Sequence, residues 1–317
     1  TLSAKTGGGE ASAVIVNHPN GGPVFSGPQI QPWRCPSTAV DEQCNQPAQY
    51  NLLYKAKNKT DLQPYDPASP PSDIETTKAD NGQTIPFIVR QEIGYQDRDQ
   101  YKILQLYQPD LGWDAHNPQP QWNHKLLITG GGGCGNSHSA GGAPLDDYSG
   151  TFSDVPVLQN SYVVALSRGF AVMSTALDNL GHNCNVSVMA ESLMMAKERL
   201  IEQYGDLRYT IGTGCSGGSI MQNWVANAYP GIFQGLTTMC SYPDVWSPLA
   251  QYTDYSLIRL YLEHPGRWAP GVVWTPEQWA IVEGHLSHVN AIVADTAFVL
   301  SILDPASDCS GIDAEIR

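Results

Sequence analysis

Charge is scarce in this sequence, and positive charge most of all. Only 15% of the residues are Asp, Glu, Lys or Arg, against about a quarter in ordinary globular chains. Seventeen basic residues stand against 31 acidic ones, for a net charge of −14. The Lys and Arg are dispersed, so no basic patch exists to hold a phosphate backbone, and nucleic acid is excluded as a partner. Long apolar runs are also lacking: the longest apolar helical stretch is interrupted by Asp295, and no membrane partner is expected. The start at Thr1 has neither the basic nor the apolar portion of a signal peptide, so the chain reads as a mature or processed form. No internal repeat is found. Neither H-E-x-x-H nor CxxC occurs, and His285 and His288, at i and i+3, have no third ligand nearby; no metal and no cofactor is expected.

What is plentiful points to an oxidising compartment. The 317 residues include 30 Gly, 23 Pro, 8 Trp and 15 Tyr, a composition typical of secreted, loop-rich proteins, and extracellular or periplasmic localisation is expected. The length suits one large α/β domain with an appended segment. Seven cysteines are present, an odd number that implies a free thiol or an intermolecular partner. Cys35 and Cys44 bracket a short polar loop and are expected to pair. Cys134 and Cys184 follow neighbouring strands and are candidates to meet, which leaves Cys215, Cys240 and Cys309 short of partners. An acidic protein repels polyanions, so a neutral or cationic substrate is favoured. Trp33, Trp224 and Trp246 read first as core residues and second as stacking surfaces for flat or sugar-like substrates.

The most informative motif is Gly214-Cys215-Ser216-Gly217-Gly218, a G-x-S-x-G run placed where a strand becomes a helix. Leu207 to Gly212 reads as a short strand, and Ser219 to Tyr229 carries Ile220, Trp224, Val225 and Ala228 at helical spacing. Ser216 therefore falls on the turn, as a nucleophile elbow requires, with Gly217 placed to donate its N–H to an oxyanion. Gly212, Gly214 and Gly217 also fit G-x-G-x-x-G, but the first acidic candidate, Asp244, comes too late for a dinucleotide fingerprint.

A second glycine cluster follows an apolar strand at Leu126 to Thr129. Its four consecutive glycines, 130 to 133, suit the loop that supplies a second oxyanion donor, with Gly131 and Gly132 as candidates. The competing P-loop reading lacks its Lys-Ser/Thr; a plain surface loop is the remaining alternative. Between the clusters, Gly169 to Leu177 reads as a buried strand and Val188 to Tyr204 as a helix, and Phe233 to Tyr242 follows as another strand. Ile85 to Glu92 and Tyr101 to Tyr107 read as an antiparallel pair at the leading edge. The alternation predicts an α/β fold with a doubly wound, mostly parallel sheet.

On the residues Cys215-Ser216-Gly217-Gly218 the chain resembles the α/β-hydrolase superfamily, and within it the tannase and feruloyl esterase group. With its GGGGC loop it is also similar along its whole length to a poorly characterised group of secreted bacterial hydrolase-like proteins. The resemblance implies a staple from Cys215 to a cysteine beside the catalytic histidine. It also implies the order nucleophile, acid, histidine, with the last two after later strands. Those strands are not evident. After Asp244 the sequence turns helical, over Tyr252 to Glu263, Pro276 to Glu283 and His288 to Leu303, as in a cap inserted after the sixth strand. Either the triad is completed within the chain, by Asp244 as acid with His285 or His288 as base, or the histidine lies on a second polypeptide of the same precursor, cut at a basic residue such as Arg317 and disulfide-linked.

The expected organisation is a Gly/Pro-rich segment at 1–84, a hydrolase core at 85–243 and a helical cap at 244–317. The expected activity is cleavage of a small-molecule or polymeric carboxylic ester through an acyl-enzyme on Ser216. An amidase or peptidase, or an inactive hydrolase fold used for binding, are the alternatives.

Overall fold

The computed structural model describes residues 2–13, 33–131, 137–145, 160–241, 246–284, 304 and 306. In chain order its strands and helices are β1 (Leu2–Thr6), β2 (Gly9–Ala13), β3 (Gln49–Lys55), β4 (Leu62–Pro64), β5 (Thr76–Lys78), β6 (Thr84–Pro86), β7 (Ile88–Gln96), β8 (Asp99–Leu106), β9 (Lys125–Gly130), α1 (Ser161–Ser167), β10 (Ala171–Thr175), α2 (Val186–Tyr204), β11 (Tyr209–Cys215), α3 (Gly217–Ala228), β12 (Gly235–Met239), α4 (Trp246–Leu262) and α5 (Pro276–Glu283). Eight of the strands form one sheet in the order β12-β11-β9-β10-β8-β7-β3-β4. The pairs β12·β11, β11·β9 and β9·β10 are parallel, and β8 runs against both β10 and β7.

The strands are written in the sequence as short apolar runs. Every residue of β10 is buried, as expected of a parallel strand covered on both faces. Successive residues alternate between the faces. Leu126 and Ile128 of β9, Met173 of β10 and Ile103 of β8 enter one core with Leu193 and Met221; Leu127, Val172 and Leu104 enter a second core with Val163 and Leu166. Accordingly α1 packs on one face of the sheet, and α2 and α3 lie on the other. Asn185 caps α2, its side chain accepting from the Ser187 and Val188 amides. The same helix is tied to the sheet by the fully buried Glu92, which accepts from Arg199 Nε at 2.7 Å, Tyr101 at 2.8 Å and Tyr204 at 2.9 Å.

The chain leaves β9 through α1 on one face and leaves β11 through α3 on the other. Adjacent strands whose connections depart to opposite faces open a crevice at their carboxyl ends, where α/β proteins bind ligands. Counted from β7, strand β9 is the third, β11 the fifth and β12 the sixth. The glycine loop thus follows the third strand and the elbow the fifth, as the sequence led us to expect. The fold is α/β, of α/β-hydrolase type.

Several expectations need correction. The antiparallel pair β7 and β8 does not form the leading edge, because β3 pairs with β7 and β4 with β3. The sheet therefore begins at residue 49. Helix α1 was not foreseen; seven residues with adjacent Val163 and Val164 carry too little helical periodicity to be read. The helix expected over 288–303 lies outside the described residues. Among the described residues no helix is long and apolar enough to cross a membrane.

Candidate functional site

Ser216 stands at the carboxyl end of β11, exposed, as the N-cap of α3. Its backbone has φ 55° and ψ −118°, a region that costs a residue with a Cβ about 1–3 kcal/mol and persists only where the surroundings impose it. Glycines impose it here. A Cβ on Gly214 would come within 2.7 Å of the Gly218 carbonyl carbon, and a Cβ on Gly218 would land on the Gly130 carbonyl oxygen of β9. The turn is closed from below by Ile220 N–H donating to the Ser216 carbonyl at 3.1 Å. Ser216 Oγ makes no hydrogen bond to any described residue. Gly217, the first residue of α3, is buried behind it.

Beside the elbow, Gly131 lies one residue past β9 and bridges Asn179 in parallel register. A Cβ on Gly131 would come within 2.7 Å of Asn179 Oδ1. The segment after β10 therefore buttresses the start of the glycine loop. Gly132 lies outside the described residues, as do Asp244, His285, His288, Cys134 and Cys309.

Among the described residues two disulfides are present, Cys35–Cys44 and Cys215–Cys240. The first pairs as expected. The second corrects the staple implied by resemblance: Cys215 is bonded, but its partner is Cys240, which has no histidine next to it in the sequence. The reason is register. Cys215 pairs with Met239 across β11 and β12, so Cys240 is the next residue along the neighbouring strand end, at a Cα separation of 4.9 Å.

The structure also brings together residues that the sequence did not mark. Asp178, fully buried after β10, accepts from Gln222 Nε2 of α3 at 3.1 Å, and its own amide donates to Thr175 Oγ1 at 2.9 Å. Burial pushes the Asp178 carboxyl up to about 7, against a smaller lowering by the Gln222 hydrogen bond. Further along the carboxyl edge, Asp99 at the β7–β8 turn accepts from the His182 ring at 2.7 Å and from the Gln100 and Gly141 amides at 2.8 Å. Strand order separates this pair from Ser216, because β9 and β10 lie between β11 and β8 at about 4.8 Å per strand. The dyad pins the loops after β9 and β10 to the hairpin. No spacing in the sequence announces either pair. Among the described residues no group of three or more His, Cys, Asp or Glu stands together to hold a metal ion.

Solved structures similar to this chain are feruloyl esterase B from Aspergillus oryzae (15% identity, 68% of this chain and 37% of that one, TM-score 0.32), an esterase from Aspergillus oryzae (14%, 74% and 42%, TM-score 0.35), and juvenile hormone esterase from Manduca sexta (14%, 82% and 49%, TM-score 0.31). The chain spans less than half the length of each. No curated protein sequence matches it significantly. A family model does match, over residues 1–317, and the chain belongs to the Tannase-like family of unknown function (DUF6351).

Proposed function

We propose that the protein is a secreted serine hydrolase that cleaves carboxylic esters through an acyl-enzyme on Ser216. The observation that carries this reading is the exposed Ser216 at φ 55°, ψ −118°, forced into that conformation at a strand-to-helix turn by Gly214, Gly218 and Gly130. A serine held in a costly conformation, with its hydroxyl making no hydrogen bond to a described residue, is organised for chemistry rather than for stability. Ser216 Oγ attacks the ester carbonyl carbon, its proton passes to a histidine, and the tetrahedral oxyanion accepts from the Gly217 amide and from Gly131 or Gly132. Collapse expels the alcohol, which takes the proton from the histidine, and water then releases the acid by the same route. Each oxyanion donor contributes about 3 kcal/mol to lowering the barrier.

The acid is assigned to Asp244, which follows β12, the sixth strand. The base is assigned either to His285 or His288 or to a second polypeptide of the same precursor. The second polypeptide is the reading we favour, since the hydrolase order places the histidine after strands beyond the sixth. Two disulfides support an oxidising compartment, hence secretion.

Fluorophosphonate labelling, with non-reducing intact mass and peptide mapping, tests the proposal. An adduct on Ser216, absent from Ser216→Ala, is expected together with turnover of short p-nitrophenyl esters. A mass above 34.4 kDa that collapses on reduction would identify the linked polypeptide. A folded protein that takes no label and turns over neither esters nor amides would instead be a binding protein with a hydrolase fold.

A further inference from the structure

We propose that Asp178 and Gln222 are positioning residues that hold the Gly130–Gly131 backbone against the nucleophile elbow and so set the oxyanion geometry. The inference rests on the serine hydrolase reading for its consequence, but the positioning itself is a statement about the fold. Both side chains are fully buried, so neither can touch substrate. Gln222 lies six residues past Ser216 on α3. Its side chain crosses the sheet where two strands lack a Cβ: one added to Gly212 of β11 would come within 2.9 Å of Gln222 Oε1, and one added to Gly130 of β9 would strike Gln222 Nε2. Beyond Gly130 the amide reaches Asp178 at 3.1 Å. The residue after Asp178, Asn179, bridges Gly131. One hydrogen bond thus closes a ring through the elbow helix, the end of β9 and the loop after β10, with the glycine loop's first residue inside it.

Packing alone does not account for this pair. Asp178 Oδ1 and Gln222 Oε1 are buried without a hydrogen-bond partner among the described residues, and such groups are destabilising relative to apolar side chains of the same shape. Two glycines in adjacent strands accommodate the polar side chain, where larger residues would otherwise fill the core. Polar pairs retained against stability are best explained by the unique arrangement they enforce. Here that arrangement is the separation between the Gly217 and Gly131 backbones. Donor placement matters at this precision, since a 1 Å misplacement costs on the order of a hundredfold in rate.

The test compares wild type, Gln222→Met, Gln222→Asn and Asp178→Asn in two measurements. One is kcat and KM on p-nitrophenyl acetate; the other is amide hydrogen exchange in the peptide spanning 125–131, with thermal melting as the control for global folding. Gln222→Met, which fills the same space without the hydrogen bond, is expected to speed exchange at 130–131 and to lower kcat by about tenfold or more with KM within about twofold. Asp178→Asn keeps an acceptor for Gln222 and is expected to stay closer to wild type than Gln222→Met in both measurements. Gln222→Asn, too short to reach Asp178, reproduces the Met result if that variant does not fold. Unchanged exchange at 130–131 in folded Gln222 variants overturns the proposal, as does a loss that falls on KM alone. If the wild type neither turns over esters nor takes the fluorophosphonate label, the hydrolase reading fails, and the exchange data still decide whether this pair positions Gly131.

Discussion

The conformation of Ser216 and the burial of Asp178 both oppose stability, and each makes a prediction of its own. At φ 55° and ψ −118° a glycine would be at ease, and Ser216 makes no capping hydrogen bond that a glycine would lose. Ser216→Gly is therefore expected to raise the free energy of unfolding by about 1 kcal/mol while abolishing ester turnover. Urea denaturation checks it; a destabilised Ser216→Gly protein would mean that the turn is not strained. Asp178 keeps its proton up to about 7 in the folded protein, whereas its ordinary value is 3.8. Between those values the folded state binds the extra proton, so stability falls as pH rises through that window. Among the described residues no charged group contributes to the shift; burial raises it and Gln222 opposes it. Asp178→Asn should match wild type near pH 4 and exceed it progressively towards pH 8. Asp97, also raised to about 7 by burial and by Glu191, leaves a slope of the same sign in both proteins. A wild-type-minus-mutant difference that stays flat with pH would show that Asp178 ionises normally.

Among the elements, β11 leads into the elbow and β12 pairs beside it, and Cys215–Cys240 ties their carboxyl ends together across a sequence separation of 25 residues. The chain-entropy estimate for a loop of that size is about 3.5 kcal/mol. The Cys215→Ala/Cys240→Ala variant is expected to lose about 2–4 kcal/mol in denaturant melts and to lower kcat by letting the strand under Ser216 move. Equal stability with and without the bond would mean that the strand pairing alone fixes the elbow. The elements that bear the site were also the legible ones. Strands β9 and β11 and helix α3 announce themselves through short apolar runs ending in glycines, because both the burial and the close approach are local demands on residue type. Strand β3 did not, since Asn51 and Tyr54 acquire their strand partners only from distant segments, at Gln91 and Ile88 of β7 and, for Tyr54, at Gln63 of β4. The Asp178–Gln222 bond spans 44 positions and joins residue types that are ordinary at the surface. Its trace in the sequence is indirect, in the glycines 130 and 212 that make room for it. The partner of Cys215 was hidden for a related reason: register between parallel strands, which no spacing encodes, places Cys240 beside it.

At the scale of the whole molecule, a sheet with one reversal of strand order brings the glycine loop and the elbow to a single crevice, in a chain of net charge −14. The field of such a protein discriminates among substrates before any contact is made. For uncharged and anionic p-nitrophenyl esters of matched size, the anionic ester should show the higher KM at low ionic strength. The discrimination should fade with salt, because the Debye length shrinks from about 30 Å at 0.01 M to about 3 Å at 1 M. Taking the ratio of the two KM values at each salt concentration cancels effects of salt on the fold and on the chemical step. A fall of about threefold or more in that ratio is expected if the summed charge governs approach. A ratio below one at low salt would mean that local positive groups outweigh the net charge at the crevice, and the preference for neutral or cationic esters would be reversed.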